Sequence, residues 1–362
     1  MNEELIRAEK FIKDGKYNNA LEIIRNFEKR VEQNPQDNVA CHLLECEILY
    51  QQGLFEDLLK IAEKTYDESL RLGPNLLSVD TLMWKARALI FLFKMSKVSD
   101  IIKQGEELLE SLTQEIQTDY KRCEALIAHT KGNYFYFGKN DVNQAVEQFE
   151  HNLTLQEKFG TKEDLATAYI HLGWVLNIGK GKRDQASKFV NLGLDLAKEI
   201  DNKFIIGQAY FNMATSLHLK GELLKSIHFY EESLTIFKDF GNNYLLANCL
   251  NNLADVYNQR GELSQALMCI EKSLKLRYKT GTLRDQAMGH DFLIKILIEM
   301  GDLDRAQHFL HDFEQLNNQL VDSQVNAWYL FDKALILKKS LRSRSRVKAE
   351  DLLKQILEMR IS

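Results

Sequence analysis

Apolar residues recur along the chain at three- and four-residue intervals, in blocks separated by glycine-centred breaks, the pattern of successive amphipathic helices. Leu253, Ala254 and Tyr257 form one apolar stripe, Gly261 marks a turn, and Ala266, Ile270 and Leu274 form the next. This segment reads as a helical hairpin. It is written twice: "KGELLKSIHFYEESLTI" at Lys220–Ile236 returns as "RGELSQALMCIEKSLKL" at Arg260–Leu276. A column of small residues, Ala145, Ala186, Ser226, Ala266 and Ala306, keeps the period with spacings of 41, 40, 40 and 40. Turn glycines follow in step at Gly181, Gly221, Gly261 and Gly301, where a helix ends and the backbone must reach positive φ. A second column, Gly160, Gly241 and Gly281 with Asp201 in the remaining place, closes the second helix of each hairpin.

The first third repeats less cleanly. "GKYNNAL" at Gly15–Leu21 fits well, "GLFEDLL" at Gly53–Leu59 puts Leu58 in the small-residue column, and "SKVSDII" at Ser96–Ile102 is degenerate. With Ala349 in the small-residue column of a last hairpin, nine hairpins of about forty residues account for the chain. The expected organisation is a single all-α array over 1–362: divergent repeats at 1–120, regular forty-residue repeats at 121–320, and a C-terminal hairpin with a basic loop at 321–362.

Composition fits a folded chain, with 45% hydrophobic and 27% charged residues. A net charge of −5 gives no overall attraction to a phosphate backbone or an anionic membrane, so nucleic acid is not an expected partner. The opening MNEELIRAEK is acidic where a signal peptide is basic, and the longest apolar run, Ala88–Phe93, is far short of the roughly 20 residues that span a bilayer. A cytoplasmic location is the expectation. Five cysteines, Cys41, Cys46, Cys123, Cys249 and Cys269, lie on helical stretches without C-x-x-C spacing and read as buried thiols.

A small residue on the first helix and G-x-x-x-x-A across the turn resemble the tetratricopeptide repeat. The clearest copies are "HLGWVLNIGKGKRDQA" (His171–Ala186), "NMATSLHLKGELLKS" (Asn212–Ser226) and "NLADVYNQRGELSQA" (Asn252–Ala266). The common form repeats every 34 residues; the period of forty resembles kinesin light chain, adaptors of the partner-of-inscuteable type, and bacterial peptide-sensing regulators. The resemblance implies a right-handed superhelical solenoid of about nine antiparallel helix-turn-helix hairpins, its concave wall lined by first helices. It implies a non-enzymatic scaffold or adaptor binding a protein or peptide there. The alternative is a sensor array that holds a peptide or small effector and controls a separate protein.

Reading that face at i, i+4, i+7 and i+11 gives Thr167, His171, Trp174 and Ile178, then Gln208, Asn212, Thr215 and Leu219. The next two hairpins give Asn248, Asn252, Asp255 and Gln259, then Met288, Phe292, Lys295 and Glu299. An asparagine offers a donor and an acceptor, so Asn212 and Asn252 suit the backbone of an extended peptide; the alternative is that they only solvate the face. Gln208, Thr215, Asn248, Asp255 and Gln259 add polar contacts, Lys295 suits an acidic group, and Trp174 and Phe292 serve as anchors or as core.

Other chemistry is thin. "NIGKGKRDQA" lacks phosphate-loop spacing and a preceding strand, so it reads as a lengthened turn. His308 and His311, with Asp312 or Glu314, make too few ligands for a metal site. No cofactor or catalytic motif is present. The tract "KKSLRSRSRVK" (Lys338–Lys348) carries six positive charges that suit RNA, an acidic tail or anionic lipid; with no aromatic residue to stack on bases it reads as a solvated loop first and a contact for an acidic protein partner next. Leu352, Leu353, Ile356 and Leu357 on a last helix, expected at Ala349–Ile361, pack inward or leave an edge for weak self-association.

Overall fold

The periodicity resolves into helices alone in the computed structural model, which describes residues 3–30, 34–112, 116–320, 322–339 and 343–359. Among these residues there is no strand, and eighteen α-helices pair as nine hairpins. The first four are α1 (Glu3–Lys13) with α2 (Tyr17–Arg30), α3 (Pro35–Gln51) with α4 (Phe55–Leu70), α5 (Leu76–Phe91) with α6 (Val98–Glu110), and α7 (Gln117–Asn133) with α8 (Val142–Phe159). Then come α9 (Lys162–Ile178) with α10 (Arg183–Glu199), and α11 (Lys203–Leu219) with α12 (Leu223–Asp239). The last three are α13 (Asn243–Gln259) with α14 (Leu263–Thr280), α15 (Leu283–Met300) with α16 (Leu303–Gln319), and α17 (Ser323–Lys339) with α18 (Ser343–Met359). The chain divides into two compact units, Met1–Asn242 and Asn243–Ser362.

Local chemistry starts and stops these helices. Asn34 caps α3 by accepting from the Gln36 N–H, with Pro35 at the first helical position. Thr161 and Thr282 form reciprocal capping boxes with Asp164 and Asp285. Gly221, Gly261 and Gly301 have φ of 79°, 76° and 79°, as their column requires. The second column divides. Gly241 and Asp201 are left-handed at 63° and 51°, whereas Gly160 and Gly281 are extended caps with φ of −81° and −89°. A Cβ there would lie 2.8 Å from the Gln156 carbonyl oxygen and 2.7 Å from that of Arg277, so close approach to the preceding turn requires glycine.

The small-residue column is the hairpin seam. Ala145, Ala186, Ser226, Ala266 and Ala306 are each no more than 1% exposed. On the facing helix α9, a Cβ at Gly173 would meet Val190 Cγ2 at 2.7 Å and the Ala186 oxygen at 3.0 Å, so the α9–α10 spacing excludes any side chain. Larger residues interlock around this seam: Phe149, Leu172, Val175 and Leu176 form one core with Ala145 and Ala186.

Two irregular turns occur in the divergent hairpins. A 3₁₀ turn, Met95–Lys97, precedes α6, and a single π turn, Tyr134–Gly138, follows α7. The π turn sets Tyr136 and Phe137 against Trp174, with ring centroids 4.4 and 5.5 Å apart. Phe137 continues to Phe91 at 6.1 Å, and Phe91 stacks on Phe55 at 4.6 Å, so an aromatic row joins four hairpins.

The basic tract departs from the expected loop. Lys338 and Lys339 end α17 and Ser343–Lys348 begin α18, while 340–342 lie outside the described residues. Helix α18 therefore starts six residues before Ala349; it buries Ile356 and leaves Leu357 61% exposed, and Ile361 lies outside the described residues. No helix among the described residues is long and apolar enough to cross a membrane. All five cysteines are buried, and none forms a disulfide.

Candidate functional site

The first helices of the first unit surround a cavity of about 670 Å³. Its wall draws Glu9 and Lys13 from α1, Glu47 and Tyr50 from α3, Asp80, Trp84 and Arg87 from α5, and Arg122 and His129 from α7. Asn152 and Gln156 come from α8, Thr167 and His171 from α9, and Gln208 from α11. Contributions at about forty-residue intervals follow from the repeat: each first helix presents the same face inward.

Two neighbouring charge systems dominate the wall. Lys13 pairs with Glu163 at 2.6 Å, and Glu163 also accepts from Asn202 at 2.9 Å. Beside them Glu47 accepts from the Gln51 amide at 3.0 Å. Burial, then the nearby Glu163 and Glu9 carboxylates, push the Glu47 carboxyl up to about 8, and burial also raises Glu9. In the second system Arg122 grips Asp80 through two bonds of 3.0 and 2.7 Å.

Arg87 lies over the Trp84 ring, 4.9 Å from its centroid, and its Nη2 is 3.0 Å from His129 Nδ1. His129 Nε2 is in turn 2.8 Å from His171 Nδ1. A guanidinium only donates, so His129 Nδ1 accepts and its proton sits on Nε2, which donates to His171 Nδ1. His171 then carries its proton on Nε2, the last donor of the chain. Burial, with the adjacent Arg87 charge, holds both imidazoles neutral: His171 falls to about 4 and His129 is displaced well below its usual value.

The tetratricopeptide-repeat family model matches residues 206–279, covering α12 and α13 whole and most of α11 and α14. The chain resembles a Rap protein complexed with competence and sporulation factor, at 15% identity and a TM-score of 0.67, over 89% of this chain and 87% of that one. Residues 206–279 are therefore tetratricopeptide repeats, and the fold is that of a tetratricopeptide-repeat solenoid. It also resembles the Rap conjugation gene regulator of plasmid pLS20 in complex with the Phr* peptide, at 17% identity and a TM-score of 0.54, covering 76% and 84%. A third likeness is to a signal-transduction ATPase with a tetratricopeptide-repeat sensor from Pyrococcus horikoshii, at 18% identity and a TM-score of 0.53 over 90% of this chain. The chain spans 49% of that ATPase's length. At such identities the likeness is one of fold. No curated protein sequence matches the chain.

Within this fold, Thr167, His171 and Gln208 share the cavity wall. Asn212 is 7% exposed and donates to the Ile170 carbonyl at 3.3 Å, tying α11 to α9. Thr215 donates to the Phe211 carbonyl at 2.9 Å and lies 3.1 Å from the Tyr230 hydroxyl. Trp174 is half-buried in the aromatic row. The remaining residues belong to the second unit. Asn248 accepts from buried Arg277 at 3.0 Å, Gln259 donates to Asp255 at 3.3 Å, and Asn252 is half-buried. Lys295 pairs with Asp291 at 2.6 Å, between the Phe292 and Phe331 rings. His308 and His311 are exposed on α16, and no group of three metal-ligating side chains occurs among the described residues.

The charged wall from α1, α3, α5 and α7 was missed by the sequence reading, although a signal for it exists. The column that carries Asn212 and His171 continues backwards at about forty-residue steps through His129, Arg87 and Glu47. The contacts Arg87–His129 and His129–His171, each 42 residues apart, show that this column is a physical row.

Proposed function

We propose that the protein is a non-enzymatic binding array whose first unit takes an extended peptide segment in the cavity bounded by Glu47, Arg87, His171 and Gln208. The observation that carries this reading is the cavity of about 670 Å³, which has the size of a small-ligand or short-peptide site and is lined mainly by polar side chains from successive hairpins. Peptide complexes of two Rap proteins with the same fold support it. Trp174 and Thr215 in the first unit and, separately, Asn248, Asn252, Asp255, Gln259 and Lys295 in the second are proposed as further partner contacts on first helices. A cytoplasmic site of action accords with five buried cysteines that form no disulfide.

The same observation admits use as a sensor that controls a separate protein. Helix α3, which supplies Glu47 to the wall, ends at Gln51, which carries the contacts with Tyr17 and Asn242 that close the first unit on itself, so a ligand against α3 bears on that closure. The test is affinity selection from the small-peptide fraction of a native extract, comparing wild type with Gln208→Ala and Thr167→Ala by mass spectrometry. Peptides retained by wild type and depleted with the variants support the cavity as the site. Retention unchanged by either substitution removes it.

A further inference from the structure

The charges of the cavity do not balance internally, and the imbalance specifies a ligand. Of the bases in its wall, Lys13 is met by Glu163, Arg122 by Asp80 and Lys162 by Glu199. Arg87 has no carboxylate partner among the described residues; its Nη2 bonds a neutral imidazole, and its buried Nε has no partner at all. On the acidic side, Glu9, Glu47 and Asp164 have no ion-pair partner among the described residues; Glu47 accepts from the neutral Gln51 amide, and Asp164 is held by the Thr161 cap. Arg87 and Glu47 are half-buried, and both line the cavity. A half-buried charge without a counter-ion is costly, and at Glu47 that cost drives the carboxyl towards its neutral form, so both ends gain from a ligand that supplies the opposite charge.

Resting on the peptide-binding reading above, the geometry points to a zwitterionic occupant: a short peptide whose carboxylate docks on Arg87 and whose cationic group docks between Glu9 and Glu47. The donor chain adds direction. Arg87 and the Nε2–H of His171 both donate, and with two neutral imidazoles there is no negative charge within that row to repel a carboxylate. Arg122 adds no competing vacancy, because Asp80 occupies both arms of its guanidinium. At the other end the cluster of Glu9, Glu47 and Glu163 repels a second carboxylate and gains from an ammonium or guanidinium group.

The probe is a random pentapeptide library prepared in four forms: free termini, C-amidated, N-acetylated, and blocked at both ends. Each form is equilibrated with the full-length protein and retained peptides are quantified by mass spectrometry. For wild type, amidation and acetylation are each expected to lower retention about tenfold or more, the loss of one charged hydrogen-bonded contact. Arg87→Gln is expected to erase the acid-over-amide preference alone, and Glu47→Gln the amine-over-acetyl preference alone. Arg87→Gln also removes the contacts of Arg87 with His129 and the Trp84 ring, so circular dichroism and urea midpoints of both variants are compared with wild type before retention is read. If amidated peptides containing Asp or Glu are retained by wild type and lost with Arg87→Gln, the carboxylate comes from a side chain and the assignment of Arg87 stands. Equal retention of all four forms by wild type overturns the zwitterion assignment while leaving peptide binding in place. Retention of no form overturns both.

Discussion

The side-chain amide of Asn242 donates to the main-chain carbonyl of Gln51 at 2.9 Å, joining residues 191 positions apart. Gln51 also accepts from the Tyr17 hydroxyl at 3.1 Å, and the Tyr17 ring meets Phe240 edge-on at 5.9 Å. The first unit is thus closed on itself by one cluster in which Asn242 and Gln51 are 2% and 5% exposed. Replacing Asn242 by Ala leaves a buried carbonyl unmet, at a cost of about 1–3 kcal/mol. Urea unfolding should show that loss, with hydrogen exchange in α1 and α2 rising more than in α13 to α18. A uniform rise would separate Asn242 from the closure.

Much of the fold was legible because its determinants are local. Ala145, Ala186, Ser226 and Ala266 mark the seam by size alone, and Gly221 and Gly261 mark the turn by the φ they must adopt. What was not legible depends on how hairpins stack. Nothing near Asn242 in sequence encodes a contact with Gln51. The inward register of Glu47 and Arg87 was hidden because Leu58 and the 3₁₀ turn at Met95 blur their repeats. Asn212 had the right face and period, but its amide turns to the Ile170 carbonyl, a direction that only the packing of α11 on α9 determines.

Glu47 should make the first unit less stable as pH rises. Its carboxyl goes from an ordinary 4.5 to about 8 in the folded state, through burial and then the neighbouring Glu163 and Glu9. A raised folded value means stability is full below about 4.5 and declines towards 8, by up to about 1.4 kcal/mol per pH unit. Glu47→Gln holds the neutral form at every pH. Urea midpoints of the variant should exceed those of wild type at pH 7.5 and converge with them near pH 4.5; a constant offset would assign the difference to shape instead of charge.

His129 and His171 act in the opposite direction. Burial keeps both neutral, with His171 at about 4, so the folded state takes up protons less readily than the unfolded chain. Their contribution is present above about 6.5 and lost as pH falls towards 4. The double variant His129→Gln, His171→Gln should therefore lose less stability than wild type between pH 6.5 and 4.5. The second unit keeps an acid sensitivity of its own, because His290, also at about 4 through burial, lies 2.7 Å from the Tyr278 hydroxyl. Parallel pH profiles for wild type and the double variant would mean that neither imidazole is held neutral.

In the second unit, Asp332 is completely buried beside Asp291, which pairs with Lys295 at 2.6 Å. Burial, then the Asp291 charge, raise Asp332 well above the usual carboxylate range; burial raises Asp291 as well, but the Lys295 ion pair offsets part of that, so of the two Asp291 ionises first. Asp332 accordingly carries a proton and donates it to Asp291. Asn in its place keeps a donor without needing that proton, so Asp332→Asn should match wild type at pH 4 and exceed it increasingly towards pH 8, where ionising Asp332 costs wild type stability. Asp291→Asn behaves differently, because it leaves Lys295 without its carboxylate and should destabilise at every pH in that range. Equal effects of the two substitutions would mean that the proton is shared evenly between the carboxyl groups.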